Sequence, residues 1–289
     1  MTESSPLPPE QPKRGRLAPN DPEWCFRIQG HEAWIDSFTN DLNSVDISIF
    51  PDYEDDRPTV WFMTSPHLTG LTAAQATARA QQLLVLLNGA LRLTHTGWFR
   101  GFELGECLER RSLMPTWVGH EETVPMKAFP ADVEDYRYFN PRRPLDYYGA
   151  VLFLSRSDPQ LSAILRILGT GPVTLMSLSK VLDTVEGSLK QLYPKGKDRR
   201  AALAALGKVT PRDLENFDYT ANNFEVSDID ARHGMDDKFG LSERLEALTL
   251  EKATQIVLSC ARAFVLERAR ETFTPKFRAV LITDRSQAD

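Results

Sequence analysis

The sequence predicts an α+β fold, in which a small sheet packed on one long helix is followed by a helical bundle. Two patterns support this prediction. Short β-branched and aromatic segments separated by turns fill much of the first half, whereas apolar residues recur at helical spacing over most of the second half. The chain has 289 residues, enough to bury a sizeable core in one large domain or two ordinary ones.

The composition argues against several classes of protein. Hydrophobic residues make up 42%, the mean hydropathy is −0.34 and the formal net charge is −6, as in a globular cytoplasmic protein rather than a nucleic-acid coat protein. The 3 cysteines are far apart and have no metal-type spacing, which favours free thiols in a reducing compartment. No apolar run is long enough to span a membrane. We therefore expect a cytoplasmic protein that does not contact a membrane.

Changes in composition divide the chain into a tail, a mixed domain, a linker and a bundle. Residues 1–22 are rich in proline and poor in apolar side chains, so we predict a disordered tail. An α+β domain is predicted over residues 23–139 and a linker over residues 140–148. The predicted helical bundle, with a C-terminal extension, occupies residues 149–289.

The first half contains the predicted strands and one long predicted helix. Thr72 and Gln75 have the spacing of a capping box, and leucines follow on one helical face, which predicts a helix over residues 72–93. The predicted strands are residues 24–28, 45–50 and 59–64, and residues 98–104 and 116–118 are candidates to return to the sheet.

In the second half, helix ends are marked by proline, glycine and small polar residues. Asp158 and Pro159 predict a helix start, and Gly169 predicts its end. Pro172 predicts the next start, and apolar residues at bundle spacing predict a buried seam over residues 175–192. The other predicted elements are a helix that ends at Gly207, a helix that begins at Thr210 and Pro211, a helix over residues 249–270 and a strand over residues 277–283.

Residues 217–234 hold the densest group of hydrogen-bonding side chains, between two predicted helices. Cleavage of RNA without a metal needs a base, an acid and a positive charge on the phosphate. A histidine can serve in the first two roles, and an arginine can bind a phosphate in bidentate fashion. The candidate catalytic residues are therefore Arg232, His233, Asn222 and Asn223.

Two other interpretations of this segment remain open. In one, Arg232 pairs with Asp228 or Asp236 and His233 stabilises a helix end. In the other, carboxylates and one imidazole bind Mg²⁺ or Mn²⁺. That metal site would consist of Asp228, Asp230, His233, Asp236 and Asp237. We adopt the metal-free interpretation and expect no cofactor.

A basic loop precedes one of the predicted helices and is the candidate RNA-binding surface. It lacks the glycine and lysine pattern of a phosphate-binding loop, so any contact would be to the RNA backbone. Its basic residues are Lys195, Lys197, Arg199 and Arg200. The histidines outside the motif stand alone in the sequence, and we interpret them as surface or core residues: His31, His67, His95 and His120.

The bundle layout, with an Asn, Arg and His-Gly motif before an amphipathic last helix, resembles the HEPN superfamily (higher eukaryotes and prokaryotes nucleotide-binding). The resemblance covers residues 146–270 and includes His233 and Gly234. The family's arginine stands a few residues before the histidine, whereas none of residues 226–228 is basic here. The resemblance implies a homodimer whose paired motifs form a metal-independent ribonuclease site, in a bacterial defence or toxin system.

We therefore expect an RNA-directed effector of bacterial defence or toxin type, or its accessory. The sequence leaves open whether the protein is an endoribonuclease, because its motif departs from the family pattern. The expected partners are a second copy of the chain, RNA and an unidentified protein. The alternative function is that of a non-catalytic dimeric scaffold.

Overall fold

The computed structural model describes residues 23–52, 59–95, 99–110, 112, 114–116, 127–130, 145–223, 227 and 245–273. The predicted tail over residues 1–22, most of the predicted linker and the predicted strand over residues 277–283 lie outside these ranges. The described chain is a mixed α+β structure in which an antiparallel sheet precedes a series of helices. The predicted fold class is confirmed at this level.

A 5-stranded antiparallel sheet forms the first layer, with the strands in the order β2-β3-β1-β4-β5. The strands are β1 (Trp24–Gln29), β2 (Ser48–Asp52), β3 (Val60–Thr64), β4 (Glu103–Glu109) and β5 (Met114–Pro115). β1 lies at the centre and pairs with both β3 and β4. Side chains alternate between the two faces of the sheet, so one face of β1 packs into the main core.

Several sheet predictions need correction. The strand predicted over residues 45–50 begins only at Ser48, because Val45 and Asp46 form a bend that turns the chain into the sheet. The strand predicted over residues 98–104 is displaced, since residues 99–102 are a loop and pairing with β1 extends to Glu109. Of the strand predicted over residues 116–118, only Thr116 is described, and it follows the end of β5.

One long helix covers the sheet. Helix α2 (Ala73–Thr94) begins with the predicted capping box, in which Thr72 and Gln75 make both reciprocal hydrogen bonds. Its leucine face is buried, as predicted. A shorter helix, α1 (Glu32–Asp41), was not predicted, because its apolar residues are few and lie between β1 and a turn. A short 3-10 helix, Pro66–Leu68, precedes α2.

The described second half consists of helices joined by short turns. They are α3 (Tyr147–Ser155), α4 (Pro159–Gly169), α5 (Leu175–Ser188), α6 (Gly196–Gly207), α7 (Pro211–Asn222) and α8 (Leu250–Thr272). The predicted starts at Asp158 and Thr210 are confirmed by side-chain capping hydrogen bonds. No helix in the described part of the chain is long and apolar enough to cross a lipid bilayer.

Three boundary predictions in the second half are wrong. The helix predicted to start at Pro172 begins only at Leu175, because the side chain of Thr174 caps it there. The seam predicted over residues 175–192 ends early, because α5 stops at Ser188 and Leu192 is 75% exposed. The linker predicted over residues 140–148 overlaps α3, which begins at Tyr147 after its cap, Asp146. Apolar spacing alone does not locate the point at which a helix leaves the core.

One apolar core runs through both halves of the described chain. Its tightest crossing is between α2 and α4. An added Cβ at Gly89 would overlap the carbonyl of Leu165, and one at Gly169 would overlap the carbonyl of Val85. The glycines therefore permit close approach of the two helices, which brings the end of α2 beside the turn between α4 and α5.

Candidate ligand-binding site

A cavity of about 820 Å³ lies where the end of α2, the start of β4, the α4–α5 turn and the start of α8 meet. This volume is within the range of small-molecule sites in proteins. Both halves of the chain contribute to the wall. The apolar and aromatic wall residues include Phe99, Phe102, Pro172, Val173 and Leu258, and the polar ones include Asn88, Arg92, His95, Arg100, Glu103, Glu251 and Thr254.

Arg92 is the central polar residue of the wall. Its side chain is 8% exposed, and its guanidinium donates hydrogen bonds to the carbonyls of Leu168 and Gly171 and, at 3.0 Å, to the carbonyl of Arg100. Burial lowers the pKa of Arg92. The residue remains cationic at neutral pH, since the ordinary pKa of arginine is above about 12. Arg92 therefore ties α2 to both the α4–α5 turn and the loop before β4.

The loop over residues 99–102 is held against α2 by a second side chain. Asn88 donates to the carbonyl of Phe102 at 2.8 Å and accepts from its backbone N–H at 2.8 Å. Gly101 has φ +96°, and an added Cβ there would lie 3.3 Å from the Asn88 amide nitrogen and 3.4 Å from Arg92. Asn88 and Arg92 are one helical turn apart on α2, so one face of the helix determines the position of this wall.

His95 closes the aromatic side of the cavity. Its Nε2 lies 3.0 Å from the hydroxyl of Tyr148, which is buried. The imidazole also contacts Trp34 edge-on, with ring centroids 4.6 Å apart. These contacts orient the imidazole. These partners of His95 are distant in the sequence, so the sequence pattern around this histidine does not reveal them.

The remaining charges of the wall are exposed. Arg100, Glu103 and Glu251 have no ion-pair partner among the described residues. Each of the two hydroxyls of the wall donates a hydrogen bond to a backbone carbonyl four residues earlier in the chain. Thr170 donates to the carbonyl of Arg166, and Thr254 donates to that of Leu250. The wall thus presents one buried positive charge and a mixed-charge rim.

The candidate RNA-binding residues lie at the start of α6 in two different environments. Lys195 and Lys197 are exposed. Arg199 and Arg200 bind the two carboxylate oxygens of Glu186 at 3.0 and 2.9 Å, and Arg200 also binds Asp218. Burial raises the pKa of Asp218, and the adjacent guanidinium partly offsets this effect. The two arginines join α5, α6 and α7, which leaves the two lysines as the freely exposed cations of the predicted surface.

The candidate catalytic asparagines lie at the end of α7. Asn222 is its last residue, and the buried Asn223 is its C-terminal cap. Asn222 Oδ1 is buried and has no hydrogen-bond partner in the described part of the chain. Arg232 and His233 lie outside the described residues, so their relation to the asparagines stays a prediction.

The alternative metal ligands also fall on positions outside the described ranges, namely Asp228, Asp230, His233, Asp236 and Asp237. Within the described ranges, no group of three His, Cys, Asp or Glu side chains could hold a metal ion.

A buried ionic cluster was missed by the sequence interpretation. Asp46 is fully buried and accepts from His67 Nε2 at 2.7 Å and from Arg156 Nε at 2.7 Å. The ring of Phe129 contacts both the imidazole and the guanidinium, and Phe153 lies under the guanidinium. Asp46 Oδ2 and His67 Nδ1 have no hydrogen-bond partner among the described residues. The cluster joins the sheet layer to the end of α3.

Comparisons with protein-family models, with curated proteins and with solved structures find no match to this chain. The HEPN resemblance therefore stays a prediction from the sequence layout. The geometry of the described residues supplies the remaining basis for assigning a function.

Proposed function

We propose that the protein binds a small organic molecule in the cavity between its two halves and acts as a ligand-sensing protein. The observation that carries this proposal is the cavity of about 820 Å³, whose wall combines aromatic and apolar side chains with several polar ones. Because α2 and β4 line one side and α8 lines the other, a bound ligand would contact both halves. A bound ligand would thus stabilise one arrangement of the two halves over the others that the unbound protein samples.

Binding rather than catalysis is the role that the described wall supports. Both wall hydroxyls, those of Thr170 and Thr254, donate to backbone carbonyls, so neither is paired with a base that would activate it. His95 Nε2 lies 3.0 Å from the hydroxyl of the buried Tyr148. The described wall residues therefore include no hydroxyl nucleophile that is hydrogen-bonded to a base.

A fragment screen by ligand-observed NMR tests this proposal with a matched pair of variants on α8. Thr254→Phe inserts a ring at a buried position in the cavity wall, whereas Gln255→Phe inserts the same ring at the exposed neighbouring position. We expect fragments that bind the wild type and Gln255→Phe but fail to bind Thr254→Phe. Fragments that bind all three proteins equally, or the absence of any bound fragment, would reject the proposal.

The second candidate function is the RNA-directed role implied by the HEPN resemblance, as an effector or its degenerate accessory. The described residues on both sides of Arg232 and His233 bond to one turn of α7. Ser227 donates to the carbonyl of Thr220, and the Leu248 N–H donates to the Thr220 hydroxyl at 2.9 Å. The chain therefore leaves and rejoins α7 beside Asn222, which supports grouping the asparagines with the motif.

Cleavage assays with EDTA present test the second candidate. If the motif is catalytic, His233→Ala should reduce RNA cleavage by about a hundred- to ten-thousandfold because proton transfer is lost. The control His31→Ala, at an exposed position before α1, should retain the wild-type rate. Equal cleavage by the wild type and His233→Ala, or no cleavage by the wild type, would reject the catalytic form.

The homodimer implied by the resemblance can be measured independently. Light scattering at micromolar concentration should give twice the chain mass of 32.7 kDa. A monomer mass would count against a site assembled from paired motifs. It would leave the cavity proposal unaffected, because a single chain supplies all the described wall residues.

A further inference from the structure

The cavity wall contains a buried positive charge that no carboxylate neutralises. All the hydrogen bonds of the Arg92 guanidinium go to backbone carbonyls, and none of the described residues forms an ion pair with it. Carbonyl dipoles offset part of the cost of burying a charge, whereas a bound anion would neutralise the charge. The unbound site therefore favours an anionic ligand over a neutral or cationic one.

The guanidinium also retains hydrogen-bonding capacity. A guanidinium has five N–H donors, of which the three carbonyls of Leu168, Gly171 and Arg100 occupy three. Two donors remain on a side chain that lines the cavity. Carboxylate and phosphate oxygens are the acceptors that arginine binds most strongly.

We infer that the ligand is an organic anion, whose carboxylate or phosphate binds Arg92 and whose apolar body packs on Phe99, Val173 and Leu258. This inference rests on the proposed function, since it specifies the ligand of the same cavity. The carbonyl contacts hold the guanidinium in place, and Asn88 fixes the adjoining loop through both of its amide atoms. The receptor for the anion is thus ordered in the unbound protein, which reduces the entropic cost of binding.

The rim charges narrow the ligand class further. Arg100, whose own backbone carbonyl accepts a hydrogen bond from Arg92, adds a second positive charge at the same wall. Glu103 and Glu251 add negative charges and would repel a ligand with many negative charges. The wall therefore favours a small molecule with one anionic group over a polyanion such as a nucleic acid.

A matched series of compounds tests the inference on the wild-type protein at constant ionic strength. The probes are phenyl phosphate, phenylacetate, benzyl alcohol, benzylamine and inorganic phosphate, and dissociation constants are measured by NMR titration. We expect one of the two aromatic anions to bind at least about tenfold more tightly than benzyl alcohol, because a charge-assisted hydrogen bond is gained. Whichever binds more tightly identifies a phosphate or a carboxylate as the preferred group.

The outcomes separate the inference from the proposed function. If benzyl alcohol or benzylamine binds in the cavity as tightly as both anions, the cavity is a binding site and the anion inference is wrong. If neither these probes nor the fragments bind, both proposals fail. Inorganic phosphate should bind more weakly than phenyl phosphate, because it lacks the apolar body.

Substitutions test whether Arg92 is the receptor. Arg92→Lys keeps a charge but loses the planar fork, and it should weaken binding of the preferred anion by about tenfold or more while benzyl alcohol affinity is unchanged. The control Arg27→Gln, exposed on β1, should leave both affinities unchanged. If Arg92→Lys does not fold, Arg100→Gln replaces it as the test variant. Arg100→Gln should weaken binding of the preferred anion several-fold. The inference is overturned if the folded Arg92→Lys protein binds the anion as tightly as the wild type. If Arg92→Lys does not fold, the same result for Arg100→Gln overturns it.

Discussion

Two of the arginines that connect the halves of this protein, the buried Arg92 and the partly buried Arg156, differ in what neutralises their charge. Arg156 at the end of α3 binds the carboxylate of Asp46, beside His67 and between aromatic rings. Arg92 on α2 binds carbonyls alone and lines a cavity. The first charge has its counter-ion within the fold, so its role is structural. The second has none among the described residues, which makes it the candidate receptor for a ligand.

The distinction between a paired and an unpaired charge also applies to the basic loop over residues 195–200. Arg199 and Arg200 are paired with Glu186 and Asp218, although the density of positive charge predicts a nucleic-acid surface. The paired arginines stabilise the packing of α5, α6 and α7. Density of charge along the chain is thus a weaker guide to a binding site than the absence of a counter-ion in the fold.

The largest effect is expected from removing the internal counter-ion. Asp46→Ala leaves the partly buried Arg156 without its carboxylate and should destabilise the protein by about 3 kcal/mol, the lower end of the effect of breaking a buried ion pair. Glu106→Ala, at an exposed position of β4, should change the free energy of unfolding by less than about 0.5 kcal/mol. Chemical denaturation of both variants measures this difference. Similar small losses in the two variants would mean that the cluster contributes little to the connection between the halves.

A smaller effect is expected at the α2–α4 crossing beside the cavity. Gly169→Ala would introduce a Cβ against the carbonyl of Val85, and the resulting separation of the helices should cost about 1–3 kcal/mol. Gly187→Ala on α5 is the matched control, because an added Cβ there meets nothing within 4 Å. The control should stabilise its helix by up to about 1 kcal/mol. Melting experiments that give both variants the same sign would contradict the described crossing.

The smallest stability effect is expected at the basic loop. Glu186→Gln weakens the pairing of Arg199 and Arg200 at a partly exposed site, so the loss should be about 1 kcal/mol. Lys197→Gln should leave stability unchanged, because this lysine is exposed. If Lys197→Gln weakens RNA binding while Glu186→Gln has no effect on stability, the loop is an RNA surface rather than a packing element.

Local patterns predicted much of the architecture. The capping box of Thr72 and Gln75 and the starts at Asp158 and Thr210 depend on residues close in sequence, and the structure confirms them. Strand pairing and the end of the buried seam depend on distant partners. For that reason, the start of β4 and the exposure of Leu192 were not predicted.

The candidate ligand site was not predicted, because its wall is assembled from segments far apart in the chain. Arg92 meets the carbonyls of Leu168 and Gly171, which lie 76 and 79 positions along the chain. One local signal was present, since Asn88 and Arg92 interrupt the leucine-rich end of α2 one turn apart. Asp46 gave a similar signal as a carboxylate in an apolar segment, but its partner Arg156 is 110 positions away.

The most direct test compares the side chains of Arg92 and Arg156 by NMR. The Nε–H resonances of Arg92 and Arg156 can be assigned through Arg92→Lys and Arg156→Lys and followed during titration with the preferred aromatic anion. The Arg92 resonance should shift saturably, because its guanidinium binds the anion, while the Arg156 resonance should stay in place because Asp46 already holds it. An Arg92 resonance that does not move at saturating anion, or an Arg156 resonance that moves equally, would contradict the assignment of Arg92 as the receptor.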